Sequence, residues 1–216
     1  MGVSGESEAL AGVYAARGPE ELASAYAGWA EGYDRETLGL GYCLPFAITA
    51  WVARHVPEGA GPILDVGCGS GLSGPLLAAL GFAAVEGMDF SAEMLSLAAG
   101  RGGYAKLTRA ALGEPLPWSD GHFAAAFSTG VFTEGHAPAS SLGEIARIVR
   151  PGGIVALTVR TSVMASGGFR EIFADLEREG RWHKVEESAP FRAFALAEPD
   201  VLVQALVFKV GGVEAG

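Results

Sequence analysis

Three glycines spaced two apart, Gly67, Gly69 and Gly71, follow a short apolar run in this 216-residue chain, and Asp89 closes the next apolar run 18 residues after Gly71. Glycines at a strand-to-helix turn let the backbone bend sharply and approach a ligand without Cβ contact. A carboxylate at the end of the following strand can accept hydrogen bonds from both hydroxyls of a ribose. Together the two features describe a nucleoside site. Singly, each has a plainer alternative: a tight turn for the glycines, and for Asp89 a favourable charge at the start of a helix capped by Ser91. The spacing also sets this loop apart from other nucleotide loops. A dinucleotide fingerprint places its third glycine where Leu72 stands, and a Walker loop needs a lysine that Gly71-Leu72-Ser73 lacks. The polar Asp65 ahead of the loop weighs further against a nicotinamide dehydrogenase.

Among other reactive side chains, His136 is the best general-base candidate, because an unperturbed imidazole titrates near neutrality. Its plainer alternative is a histidine that ties down its own loop. Glu134 is a second candidate and also reads as a solvated loop acid. His55, His122 and His183 sit in helix or strand patterns and read as structural. The two cysteines, Cys43 and Cys68, form neither a disulfide framework nor a metal-ligand spacing, which fits a reducing compartment and no metal.

The elements that position these residues alternate. Residues 1–20 are rich in Gly, Ala, Ser and Glu and read as a mobile arm. Helical patterns at about Pro19–Gly32 and Gly41–Val56 make residues 21–56 an N-terminal helical segment, closed by the breaker run Pro57–Pro62. The main domain, residues 57–216, then reads strand (Pro62–Val66), helix (Gly71–Leu80, Gly81 just past its end) and strand (Ala83–Met88). A helix capped by Ser91 and a strand at Tyr104–Thr108 follow. His122–Phe127 is nearly free of polar residues, as a strand buried on both faces should be. A helix with Leu142, Ile145 and Ile148 on one stripe stops at Pro151-Gly152-Gly153, and strand Ile154–Val159, helix Phe169–Glu179 and strands Trp182–Glu187 and Val201–Val210 complete the chain. This alternation predicts an α/β fold with a mostly parallel sheet.

Half of the residues are hydrophobic and 19% are charged, a globular composition able to bury a core. The formal net charge of −10 repels phosphate backbones and argues against a nucleic-acid partner. The first residues have no basic n-region, and the uncharged stretches Thr37–Ala53 and Val66–Val85 are interrupted by proline, glycine and serine, so neither reads as a membrane span. A cytoplasmic protein is expected.

The motifs resemble those of class I S-adenosylmethionine (SAM)-dependent methyltransferases. Leu64-Asp65-Val66-Gly67-Cys68-Gly69-Ser70-Gly71 is similar to their first motif, and Gly87-Met88-Asp89-Phe90-Ser91 with Glu93-Met94-Leu95 to their second-strand motif. Leu116-Pro117-Trp118 with Gly121-His122-Phe123, and Arg150-Pro151-Gly152-Gly153, resemble the approaches to strands four and five. The segment Thr129–His136 and the pattern Tyr26, Trp29-Ala30, Tyr33-Asp34 are most similar to the methyltransferase-like proteins of the Williams–Beuren syndrome critical region. The resemblance implies a Rossmann-like methyltransferase sheet, mostly parallel with an antiparallel last strand and helices on both faces. It also implies SAM as cofactor and S-adenosylhomocysteine as product. By the same resemblance Asp65, Gly67, Cys68 and Gly69 would meet the methionine end, Asp89 the ribose, and Phe90, Met94, Leu112 and Gly113 the adenine. Leu112 departs from the family's usual aspartate, so another group must serve there. Ser128 and Thr129 would face the transferred methyl, and Tyr26 and Tyr33 match lid tyrosines able to face a sulfonium. Both tyrosines could equally pack a helix on the core.

Methyl transfer to an acceptor is an in-line displacement at an already activated carbon, so positioning supplies much of the acceleration and a base is needed only where the acceptor loses a proton. No Asn/Asp-Pro-Pro-Tyr/Phe motif follows strand four, where Ser128-Thr129-Gly130-Val131 stands, which weighs against amide and exocyclic-amine acceptors. Neither cysteine is placed for a cytosine C5 mechanism. The expected function is methylation of a small molecule, with His136 near the acceptor; a non-catalytic SAM- or partner-binding module and a protein methyltransferase are the alternatives.

Overall fold

The computed structural model describes Gly12 and residues 19–211, apart from the side chains at 19, 20, 22–24, 26, 27, 30 and 31. The arm expected at residues 1–20 therefore lies largely outside the described residues, as does the Tyr26 side chain. Two helices, α1 (Pro19–Gly39) and α2 (Leu44–His55), precede the sheet. Helix α1 runs past Gly32, where the sequence reading stopped it. A lone glycine costs a helix only about 1 kcal/mol, and inward packing of Trp29 and Thr37, 5% and 2% exposed, holds the turns on either side of it. Helix α2 begins three residues later than the pattern suggested, because Gly41 turns the chain at φ +81° and Pro45 suits a first helical turn.

The chain then weaves β1 (Ile63–Val66), α3 (Ser73–Ala79), β2 (Val85–Asp89), α4 (Ala92–Arg101), β3 (Lys106–Arg109), β4 (Phe123–Phe132), α5 (Ser141–Ile148) and β5 (Val149–Arg160). Two helices, α6 (Thr161–Ser166) and α7 (Phe169–Arg178), lead to β6 (Trp182–Glu187), the short β7 (Phe191–Arg192) and β8 (Leu202–Val210). The strand order is β3-β2-β1-β4-β5-β8-β6, with β7 also paired to β8. The first five strands are mutually parallel, and β8 runs antiparallel to β5, β6 and β7. This is the mostly parallel sheet that the alternation of strands and helices predicts, with the antiparallel last strand that the family resemblance implies. Helix α6 and strand β7 have no counterpart in the sequence reading. The Pro151-Gly152-Gly153 run is not a free turn but a bulge inside β5, where the register with β4 slips between Phe123 and Ala125.

Period-two alternation divides the core between the sheet's faces. Leu64, Val66, Val155 and Leu157 pack with Leu142, Ile145, Phe169 and Leu176 of α5 and α7. Ile63, Phe127, Ile154 and Ala156 pack with Ile48 and Val52 of α2 and Leu77 of α3. A third cluster joins Trp29, Leu40 and Leu44 to Phe194, Val201 and Val203. The N-terminal helical segment is thereby fixed over the carboxyl ends of the parallel strands, the edge where open α/β sheets bind ligands. Among the described residues no helix is long and apolar enough to cross a membrane.

Candidate active site

At that edge the loop after β1 folds over β2: the Gly67 and Cys68 amides both donate to the Met88 carbonyl at 2.8 Å. The Gly69 amide donates to Asp89 Oδ2 at 2.9 Å, while Asp89 Oδ1 accepts the Ser91 amide at 3.0 Å. Ser91 Oγ in turn accepts the Met94 amide, so Ser91 caps α4 as its position suggests. One carboxylate therefore ties the glycine loop to the start of the next helix. Asp65, 1% exposed, accepts a hydrogen bond from Tyr104 Oη at 2.7 Å. The Tyr104 ring lies under the loop in a space cleared by glycines: a Cβ at Gly74 would come within 2.5 Å of it, and one at Gly71 within 3.1 Å.

Helix α1 is clasped to the same loop. Ser70 Oγ donates to Asp34 Oδ1 at 2.6 Å, Arg101 Nε donates to the Ser70 carbonyl at 2.9 Å, and Arg101 also pairs with Asp34. Asp34 appeared in the sequence only as a flank of Tyr33; its partners lie 36 and 67 residues away, beyond any local pattern.

Beneath α1 and the loop lies a cavity of about 280 Å³. Of the residues singled out from the sequence, Tyr33, Asp65, Gly67, Cys68, Gly69, Asp89, Phe90, Met94, Leu112 and His136 line it. Two of the expected cofactor contacts do not line it, and neither does Glu134, the second base candidate. Ser128 is 2% exposed and its hydroxyl donates to the Val66 carbonyl at 2.8 Å, which leaves the adjacent Thr129 at the wall. Gly113 is an exposed turn residue at φ +97°, while its neighbours Leu112 and Glu114 line the cavity. Tyr42, Pro45, Glu114 and Gly130 are wall residues that sequence reasoning missed. His55 pairs with Glu186 at 2.8 Å, and His122 and His183 are exposed, all away from the cavity.

The Methyltransferase domain family matches residues 64–157. Human Methyltransferase-like protein 27 is 35% identical over 187 residues, covering 81% of this chain and 75% of the relative. The chain belongs to the class I SAM-dependent methyltransferases. Solved structures agree on the fold. A Haloferax volcanii chain from a complex with the Trm112 methyltransferase activator aligns at a TM-score of 0.69 and 19% identity, over 88% of this chain and 98% of its own. The SAM-bound magnesium protoporphyrin IX methyltransferase of Synechocystis PCC 6803 aligns at a TM-score of 0.57 and 17% identity, over 78% of each.

The cavity of this methyltransferase suits SAM on its own chemistry. Two buried carboxylates face it, and neither forms an ion pair among the described residues. Burial pushes the Asp65 carboxyl up to about 7, against the Tyr104 hydrogen bond and with help from the Asp89 charge. Burial raises Asp89 as well, opposed by the Ser91, Gly69 and Phe90 amides. A ligand that brings a ribose diol and positive charge relieves both. Burial also keeps Cys68 a thiol. No cluster able to hold a metal ion is present among the described residues.

His136 lines the same cavity as the glycine loop. Its Nδ1 lies 2.8 Å from the Glu134 carbonyl and 2.9 Å from Thr133 Oγ1. A carbonyl only accepts, so Nδ1 carries the proton and Nε2 the lone pair. Burial lowers the imidazole's pKa and favours this neutral form. The histidine therefore stabilises its loop through Nδ1. Glu134 is itself engaged, accepting from Arg160 Nη1 at 2.9 Å and from the Ser162 hydroxyl.

Proposed function

We propose that this methyltransferase alkylates a small molecule held under the lid, with His136 as the base. One observation carries the reading: a second, smaller cavity abuts the first, and Tyr33, Tyr42, Gly130 and His136 line both. A methyl donor in one and an acceptor in the other would meet at those four residues. SAM supplies an electrophilic methyl carbon on a sulfonium when bound. Around it, Asp65 holds the methionine ammonium with the Gly67, Cys68 and Gly69 backbone, Asp89 accepts from the ribose hydroxyls, and Phe90, Met94 and Leu112 enclose the adenine. Glu114, on the same wall, takes over the adenine amine that Leu112 has no polar atom to meet. Tyr33 turns an electron-rich ring toward the sulfonium, and Tyr26 stands on the same helix, seven residues earlier. The small size of the second cavity, about 60 Å³, favours a small acceptor group, and the net charge of −10 disfavours nucleic acid. The likeness to Methyltransferase-like protein 27 supports placing the chain in the methyltransferase-like subgroup.

Calorimetry with SAM, paired with transfer assays on His136→Gln, tests this. The expected result is saturable SAM binding in wild type and variant alike, with transfer lost only in the variant. Equal transfer by both proteins would remove His136 from the chemistry.

A further inference from the structure

Three carboxylates, Asp65, Asp89 and Glu114, line the larger cavity, and no lysine or arginine stands among the described residues of its wall. The guanidinium groups around the site are turned to other partners. Arg101 bridges the Ser70 carbonyl and Asp34, Arg109 donates to the Phe90 carbonyl, and Arg160 pairs with Glu134. Burial favours the neutral form of His136 and keeps Cys68 a thiol, so neither adds a charge to the wall.

The two buried acids are hydrogen-bonded but not neutralised. Asp65 accepts from the Tyr104 hydroxyl, and Asp89 accepts from the Gly69 and Ser91 amides. Those donors orient a carboxylate and bring no full positive charge. At 1% and 7% exposure, water screens Asp65 and Asp89 poorly, and attraction to a cation persists over several ångströms.

SAM and S-adenosylhomocysteine differ by one such charge. Each has an ammonium and a carboxylate at the methionine end, which cancel. SAM adds a sulfonium, where the product has a neutral thioether. A wall with a cation for the carboxylate would hold both ligands firmly. This wall offers the carboxylate no cation and faces the rest of the ligand with acids, so the sulfonium makes the difference.

We propose that the cavity selects its occupant by net charge, that Asp65 sets the selection, and that SAM is held more tightly than S-adenosylhomocysteine. This rests on the reading that SAM occupies the larger cavity. Asp65 is the acid at the methionine end, whereas Asp89 faces the ribose and Glu114 the adenine. In the transfer the S–CH3 electron pair stays on sulfur, and the positive charge leaves it with the methyl group for the acceptor. The attraction to Asp65 therefore weakens as the product forms, and the product leaves readily and inhibits weakly.

Calorimetry with three ligands at about pH 8, where the Asp65 carboxyl at about 7 is mostly ionised, tests this. The ligands are SAM, S-adenosylhomocysteine and sinefungin, which carries an ammonium in place of the methylsulfonium. SAM and sinefungin should each bind at least about tenfold more tightly than S-adenosylhomocysteine. In Asp65→Asn that ratio should shrink below about threefold, chiefly through weaker SAM binding. Glu171→Gln, which removes a charge from the exposed face of α7, should leave the ratio unchanged. Product binding as tight as SAM binding would overturn the proposal, with no variant needed. Sinefungin that binds only as weakly as the product would assign the preference to contacts of the methyl group instead of charge. A ratio that survives in Asp65→Asn, or that falls equally in Glu171→Gln, would remove Asp65 from the role. Failure of all three ligands to bind folded wild-type protein would instead strike the underlying cofactor reading.

Discussion

Tyr104 Oη donates to Asp65 Oδ2 at 2.7 Å from beneath the glycine loop, so the acid that faces the cofactor cavity is oriented by a residue just ahead of β3. The ring reaches it because Gly71, Gly74 and Gly87 leave the space a side chain would fill. Replacing the hydroxyl by hydrogen removes a donor that favours the ionised acid. In Tyr104→Phe the Asp65 pKa should therefore rise above about 7, and SAM affinity near neutral pH should fall by roughly 1 kcal/mol, a typical single hydrogen bond. Calorimetry across pH separates this from mere loosening: the midpoint of the affinity-versus-pH curve should move upward. A variant with a lower melting temperature and an unmoved midpoint would assign Tyr104 to packing alone.

The same two acids set the pH dependence of the ligand-free fold. Asp65 is raised to about 7 from an ordinary 3.8, and Asp89 is raised too. An acid whose folded pKa lies above its unfolded value binds more protons in the folded state between those values, so stability falls as pH climbs through that window. Ligand-free protein should melt highest near pH 5 and lose on the order of 1–4 kcal/mol toward pH 8. Glu144, lowered chiefly by its Arg147 hydrogen bond, acts the other way, and its contribution fades only below its ordinary 4.5. Thermal unfolding of wild type and Asp65→Asn between about pH 5 and 8 checks this. Equal slopes for the two proteins would contradict it.

Asp89 joins the glycine loop to α4 through the Gly69 and Ser91 amides. Asp89→Ala leaves two amides without their acceptor and removes the partner proposed for the ribose. SAM binding should weaken by about 1–3 kcal/mol. Calorimetry at fixed pH measures it, and an unchanged affinity would mean that the ribose is held elsewhere.

How much of this was legible in the sequence follows from the range of the interactions. The β1 loop, Asp89 and the Ser91 cap are local patterns, and local physics makes them readable. The parallel order of β1 to β5 follows from alternating strands and helices. What escaped depends on distant partners. Tyr42 was hidden because its neighbour in the site, Gly130, lies far along the chain. Asp34, Ser70 and Arg101 form their clasp from three separate elements. Ser128 and Thr129 are adjacent at the end of β4, and the pleat alone decides which of the two reaches the cavity. Helix α1 outran its glycine because tertiary burial of Trp29 overrode a local stop signal.

Gly130 stands where the two cavities meet, at φ +72°, and a Cβ there would lie 2.4 Å from Tyr42 Oη. Two separate costs thus attend Gly130→Ala: a left-handed backbone, about 1–2 kcal/mol, and a collision with a braced hydroxyl, about 1–3 kcal/mol. They can be told apart. Removing the hydroxyl in Tyr42→Phe leaves Cζ as the near atom, at 3.7 Å, an ordinary contact. The double variant should therefore recover the steric part and keep the backbone part, a coupling of about 0.5–3 kcal/mol in a double-mutant cycle. Denaturant unfolding of the four proteins measures it. Strictly additive losses would mean that the Tyr42 hydroxyl does not rest on Gly130, and would separate Tyr42 from the boundary between the cavities.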